Sequence, residues 1–265
     1  MSSVTSADGT RIAFERTGNG QPVILVDGAM CYRDSGPMRP LAEQLAKDFT
    51  VYLYDRRGRG ESGDTAPYSP RREIEDIEAL VKDAGGSAHL FGISSGAVLA
   101  LEAANAGLPV RGLALYEPPL IVDDTRDPVP PEWVTELRRE VAEGRRGDAV
   151  RRFMRVVQVP AVAIFLMRFL PAWRKITGVA HTLPYDFEVI GDLQSGRPLP
   201  ADRWTSLTAT TLVLDGGKSP TWIRNGTRAL ADVLPTARYD TLPGQTHMVK
   251  PTALAPALAE FFGAH

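Results

Sequence analysis

The sequence predicts an α/β fold: a mostly parallel, eight-stranded sheet flanked by helices, with a helical cap inserted late in the chain. Three observations lead there. Strand-like and helix-like segments alternate over most of the length, the pattern of a parallel sheet covered on both faces. About ninety residues between Tyr116 and Thr210 carry helical patterning and no strand signal, too long for a plain loop. Between a strand and a helix stands Gly92-Ile93-Ser94-Ser95-Gly96, whose small residues allow a tight turn there.

Taken in order, residues 3–18 read as two short strands around the turn signal Asp8-Gly9, and Gly18-Asn19-Gly20 closes the second. This opening is an antiparallel hairpin. Val23 to Val26 is strand-like, Met38 to Phe49 helix-like, Thr50 to Tyr54 strand-like, Pro70 to Ala84 helix-like, Ala88 to Gly92 strand-like and Ala97 to Ala106 helix-like. Val110 to Tyr116, Thr210 to Leu214 and Ala237 to Leu242 complete the strands, and Ala253 to Phe262 is a closing helix. Within the interruption, Pro131 to Glu143, Asp148 to Val157, Val162 to Leu170 and Phe187 to Leu193 read as helices. The expected division is a core of residues 1–119 and 206–265 with a helical cap of residues 120–205.

The 265 residues, 43% hydrophobic and 23% charged, suffice for one large core. A formal net charge of −2 provides no field that would favour nucleic acid or an anionic membrane, so neither is an expected partner. The start of the chain, from Met1, lacks the basic and apolar stretches of a secretory signal, and Cys31 is the single cysteine, so a cytoplasmic, disulfide-free protein is expected. The sequon Asn225-Gly226-Thr227 then carries no modification. The apolar stretch Val159 to Trp173, interrupted by Pro160, Arg168 and Pro171, is shorter than the roughly 20 residues of a membrane span.

Gly92-Ile93-Ser94-Ser95-Gly96 fits G-x-S-x-G, a turn that raises a strained serine between strand and helix. A serine hydroxyl needs a base near neutral pH, and histidine suits that task. Of four histidines, His89 lies in a strand, His181 in the cap and His265 at the chain end; His247 follows the last strand in Leu242-Pro243-Gly244-Gln245-Thr246-His247 and is the candidate base. Acyl chemistry also requires donors for an oxyanion. Asp27-Gly28-Ala29-Met30, after the strand Val23 to Val26, is placed to present the Ala29 N–H beside that of Ser95.

In these features the chain resembles the α/β-hydrolase family across nearly its whole length. The supporting matches are Asp27-Gly28, where the family often has His-Gly; Asp55-Arg56-Arg57-Gly58-Arg59-Gly60-Glu61-Ser62, similar to a D-x-R-G-x-G-x-S loop; the Ser94 turn; the helical insertion; and the late histidine. The resemblance implies an α/β-hydrolase fold and a Ser-His-acid site under a cap, with no cofactor and no metal. It also implies that Gly58-Arg59-Gly60-Glu61-Ser62-Gly63, which spells a dinucleotide-binding G-x-G-x-x-G, is a structural turn; the helix-like Pro70 to Ala84 stands where that motif's next strand and acid should be.

Two positions depart from the family. Its acid usually follows the strand written here Thr211 to Leu214, where alignment on Pro220 leaves Ser219. Some members carry the acid one strand earlier, which makes Glu117 the first choice; Asp215 is the second, and a dyad without an acid is the third. Asp27 replaces the usual histidine, either turned away to pin the loop or facing the pocket, where it would favour proton-transfer chemistry.

The cap segment Val156, Val157, Val159, Val162, Ile164, Phe165, Leu166, Met167, Phe169, Leu170 and Trp173 is too apolar for an exposed surface, so it is expected to pack on the core and roof the pocket. Arg145, Arg146, Arg151, Arg152 and Arg155 read as a solvated face. The expectation is a serine hydrolase cleaving a small, largely apolar ester or lactone. The alternatives are a lyase, cyclase or acyl-transfer enzyme of the same fold, or a ligand-binding module that has kept it.

Overall fold

Apolar residues alternate along the central strands: Val23 and Leu25 point to one side of the sheet, Ile24 and Val26 to the other, and all four are fully buried. A strand buried on both faces belongs inside a parallel sheet covered by helices. The computed structural model, which describes residues 2–264, has that arrangement; Met1 and His265 lie outside the described residues. Its strands are β1 (Ser2–Thr5), β2 (Arg11–Thr17), β3 (Gln21–Val26), β4 (Phe49–Tyr54), β5 (Ala88–Ile93), β6 (Val110–Tyr116), β7 (Thr210–Gly216) and β8 (Ala237–Leu242). They lie in the order β1-β2-β4-β3-β5-β6-β7-β8. Only the β1/β2 and β2/β4 pairings are antiparallel.

The helices are α1 (Met38–Leu45), α2 (Pro70–Asp83), α3 (Ser95–Asn105), α4 (Pro131–Ala142), α5 (Arg146–Val156), α6 (Ala161–Met167), α7 (Ala172–Gly178), α8 (Leu183–Ile190), α9 (Thr221–Val233) and α10 (Pro251–Gly263). Met38, Leu41, Leu45, Leu254, Leu258 and Phe262 of α1 and α10 pack on one face of the sheet. Residues of α2, α3 and α9 cover the other face. Helices α4 to α8 and a 3-10 turn at Ala180–Thr182 lie between β6 and β7. They share a separate apolar cluster, built on Leu137, Ala149, Val150, Leu183 and Phe187, that also takes in Met30 from the loop after β3.

Several details correct the sequence reading. Helix α1 ends at Leu45, and Phe49 instead opens β4, buried against His89 and Phe262. Helices α7 and α9 were not anticipated. Asn225-Gly226 reads as a break, since glycine costs about 1 kcal/mol in a helix interior. Tertiary packing reverses that preference, because a Cβ at Gly226 would sit 2.4 Å from the Leu120 carbonyl oxygen. Helix α8 starts at Leu183 rather than near Phe187. The segment expected to be covered is largely exposed: Val162 is 70%, Phe165 54%, Leu166 56%, Phe169 68% and Leu170 54% accessible, and Ile164 alone of that run is buried. Short helices touching a neighbour on one side keep one stripe inward and leave the rest to solvent. No helix among the described residues is long and apolar enough to cross a membrane.

Candidate active site

The carboxyl ends of β3, β5, β6, β7 and β8 lie side by side, and these ends with the loops leaving them carry Asp27, Ala29, Ser94, Ser95, Glu117, Asp215, Ser219 and His247. Crevices at that edge are where open parallel sheets bind ligands. At the end of β5, Ser94 has φ 56° and ψ −129°, a left-handed conformation that a side chain rarely adopts. Its N–H donates to the Tyr116 carbonyl at 3.0 Å, and its carbonyl accepts from Ala97 N–H at 2.9 Å. The flanking glycines are required by close approach: a Cβ at Gly92 would lie 2.4 Å from the Gly96 carbonyl oxygen, and one at Gly96 would lie 2.3 Å from that of Val26. Of the four described non-glycine residues with positive φ, Met30, Ser94 and Glu117 sit at this sheet edge. Backbone strain concentrated at one place marks a functional constraint.

His247 Nδ1 lies 2.8 Å from Glu117 Oε2. Glu117 is fully buried, and its other oxygen, Oε1, accepts from Gly216 N–H at 2.7 Å and from the Ser219 hydroxyl at 2.5 Å. Three donors thus converge on one carboxylate, which is what a buried carboxylate requires. Ser219, at the position where the acid of the resembled family is expected, bonds instead to the candidate acid Glu117. Asp215 is turned elsewhere: its Oδ2 accepts from the Tyr239 hydroxyl at 2.6 Å and Arg224 Nε at 3.2 Å. The Tyr116 hydroxyl donates to the Thr246 carbonyl at 2.8 Å, so the last residue of β6 supports both the Ser94 turn and the His247 loop. Ser94 Oγ and His247 are not hydrogen-bonded to each other here; such contacts often close only around a substrate.

The loop after β3 lies against the Ser94 turn, since a Cβ at Gly28 would be 3.1 Å from Ser94 Cβ and 3.7 Å from its Oγ. Neither Ala29 N–H nor Ser95 N–H donates to a backbone acceptor in the described chain. Ser95 opens α3, where first-turn N–H groups have no intrahelical partner. Asp27 is 2% exposed, and its Oδ1 accepts from Gly28 N–H at 3.0 Å. Burial pushes its carboxyl up to about 7, against the pull of Gly28 N–H, Arg59 and Arg56. Asp27 therefore faces the interior beneath the loop.

Beneath it lies a group of buried charges that sequence reasoning missed. Asp186 of α8 accepts from Arg56 at 2.8 Å, from Arg59 at 2.8 Å and from the Ser95 hydroxyl at 2.7 Å. Arg56 is also paired with Glu73 at 2.6 Å and 2.7 Å. Burial opposes ionisation of Asp186, but Arg59 and Arg56 outweigh it and hold the carboxyl below its usual range. The only sequence signal was the density of arginines at 56, 57 and 59; Arg57 pairs with Asp76 and Asp8, whereas Arg56 and Arg59 share Asp186, some 130 residues away. The remainder of that loop is a turn: Asp55 accepts from Arg33 N–H at 2.8 Å and Glu61 N–H at 2.9 Å, and fills the space a Cβ at Gly60 would need. Dinucleotide binding through it is excluded by that packing and by α2, which stands where the next strand should be. His89 is enclosed in the core beside Gln21, and no group of potential metal ligands occurs among the described residues.

Comparison with known proteins agrees with this fold. Residues 19–257 match the family model described as "Alpha/beta hydrolase family". Over 145 residues the chain is 33% identical to the pimeloyl-[acyl-carrier protein] methyl ester esterase of Stenotrophomonas maltophilia (strain R551-3), 53% of each chain being covered. The chain thus spans about half the length of that curated relative. An alpha/beta hydrolase crystal structure from Sphaerobacter thermophilus DSM 20745 is similar with a TM-score of 0.90 and 54% identity, covering 98% of this chain and 100% of the other. A thermophilic esterase from Thermogutta terrifontis (malate bound) is similar with a TM-score of 0.70 and 26% identity, covering 99% and 98%.

Proposed function

The chain belongs to the alpha/beta hydrolase family, and from that premise we propose that it is a serine hydrolase cleaving a small, largely apolar ester or lactone. The observation that carries this reading is the 2.8 Å contact of His247 Nδ1 with buried Glu117, on the strand next to the one that ends in the strained Ser94. With Nδ1–H donated to Glu117, the free Nε2 takes the Ser94 proton as Oγ bonds to the carbonyl carbon. The carbonyl oxygen becomes an oxyanion held by the N–H groups of Ala29 and Ser95. The C–O bond then breaks, the leaving alkoxide takes the proton from His247, and an acyl group remains on Ser94. Water then bonds to the acyl carbon as His247 takes its proton, the bond to Ser94 Oγ breaks as Ser94 takes that proton back, and the acid is released.

The esterase names of two similar proteins support ester cleavage. Met30, Phe187 and Leu183 form an apolar cluster beside the loop after β3, which favours an apolar acyl part. We assign residues 120–205 as a cap over a core of residues 1–119 and 206–265. Proton-transfer chemistry of the lyase type would need Asp27 in the pocket, and its burial argues against that.

Ser94→Ala is expected to abolish turnover of a chromogenic short-chain ester, and a fluorophosphonate is expected to label wild-type protein at Ser94. Undiminished turnover in Ser94→Ala would sink the assignment; a folded protein that takes no label would favour a ligand-binding module.

A further inference from the structure

The two proposed oxyanion donors share a support that reaches them through buried arginine. The peptide joining Gly28 to Ala29 carries the Gly28 carbonyl on one side and the Ala29 N–H on the other, because a trans peptide points them in opposite directions. Arg59 Nη1 donates to that carbonyl at 2.6 Å and to the Cys31 carbonyl at 3.2 Å. Arg59 is 1% exposed and is fixed in turn by Asp186 at 2.8 Å and by the Thr182 hydroxyl at 3.1 Å. Asp186 also accepts from the hydroxyl of Ser95, whose own N–H is the second donor.

From this geometry we infer that Arg59 is a positioning residue for the proposed oxyanion site, and that Asp186 couples it to Ser95. The inference rests on the serine hydrolase reading above. A guanidinium on the Gly28 oxygen does two things at once. It fixes the plane of the peptide, so that the Ala29 N–H points away from the arginine. It also draws electron density toward the oxygen, which makes the N–H on the same peptide a stronger donor. Asp186 holds Arg59 and the first residue of α3 together, so the two donors keep one spacing while charge develops on the substrate. Arg59 stands between Gly58 and Gly60, at an x of the D-x-R-G-x-G-x-S pattern, and Asp186 belongs to the inserted helices. The oxyanion site of this chain is therefore finished by groups outside the two loops that form it.

The test compares Arg59→Met, Arg59→Lys, Arg59→Ala and Asp186→Asn with wild type on the chromogenic ester. A donor that acts only in the transition state changes kcat and kcat/KM together, so Arg59→Met is expected to lose about 10- to 100-fold in kcat with KM within about twofold. Arg59→Lys, which keeps a charged donor, is expected to lose less, and Asp186→Asn to fall between. Added guanidinium ion at tens of millimolar, about the range for filling a truncated site, is expected to restore part of kcat in Arg59→Ala and to leave wild type unchanged. A merely structural arginine would lower the melting temperature and leave kcat intact in the folded fraction; that result overturns the inference, as does a loss confined to KM. Where Arg59→Met does not fold, Arg59→Lys decides by the same split. Ser94→Ala is run alongside: retained turnover there overturns the hydrolase reading, whereas Ser94-dependent turnover with full kcat in the Arg59 variants overturns only the role of Arg59.

Discussion

At the scale of single residues, the choice between two acids is a choice between two strand ends. Glu117 meets His247, and Asp215 is occupied by Tyr239 and Arg224. Steady-state kinetics on Glu117→Gln should therefore show a loss of about 10²- to 10⁴-fold in kcat, the range set by an isosteric acid-to-amide change in a triad, with Asp215→Asn within a few-fold of wild type. Both candidates could be named from the sequence because both stand at the end of a strand; which of them meets His247 needed a distance. Asp27 was legible as an oddity, but which way it faced was not, since that depends on Arg56 and Arg59 lying beneath it. Its carboxyl stays protonated in the folded chain up to about pH 7, while in the unfolded chain it ionises near its ordinary 3.8. The folded state binds the extra proton between those values, so the stability Asp27 contributes is full below the lower one and is lost as pH rises toward 7. Urea denaturation of Asp27→Asn across this range should show the variant gaining on wild type by about 1.4 kcal/mol for each pH unit over which only the folded chain holds the proton.

At the scale of elements, the strand-turn-helix unit around Ser94 is written plainly in the sequence because its geometry depends on local residue size. The backbone atoms that a Cβ at Gly96 would meet are the carbonyl oxygens of Val26 and Asp27, at 2.3 and 2.5 Å, and backbone cannot move aside as a flexible side chain can. Gly96→Ala should cost about 2–3 kcal/mol in chemical denaturation and shift α3 away from β3. Helix α9 shows the opposite case. Its Asn225-Gly226 pair argues against a helix locally, and only the nearness of Leu120 explains why glycine is needed there. Apolar periodicity placed α6 correctly as a helix but not its surroundings, because a stripe of Phe165, Leu166 and Phe169 has the same spacing whether it is covered or exposed.

At the scale of the whole molecule, the fold class was legible because eight strand signals and the helices between them recur in a fixed alternation. How the inserted helices attach was not, since the links, which include ion pairs between α8 and the loop after β4 and the packing of Val189 and Ile190 into the main core, join residues far apart in sequence. These buried contacts tie α8 to α3 and to the sheet, while α6 and α7 bury almost nothing besides Ile164. Hydrogen exchange should separate them: amides of α8 are expected to exchange as slowly as those of β5, through global unfolding, and amides of α6 and α7 to exchange orders of magnitude faster through local opening. The bond from Ser219 to Glu117 has a geometric consequence as well. The hydroxyl at 219 and the carboxylate at 117 meet at 2.5 Å, so a carboxylate carried by either strand can reach the same point in space. In the proposed site the acid can therefore be moved from one strand to the next by placing a carboxylate at 219 before removing the one at 117, with the residue left behind serving as a ligand of its replacement.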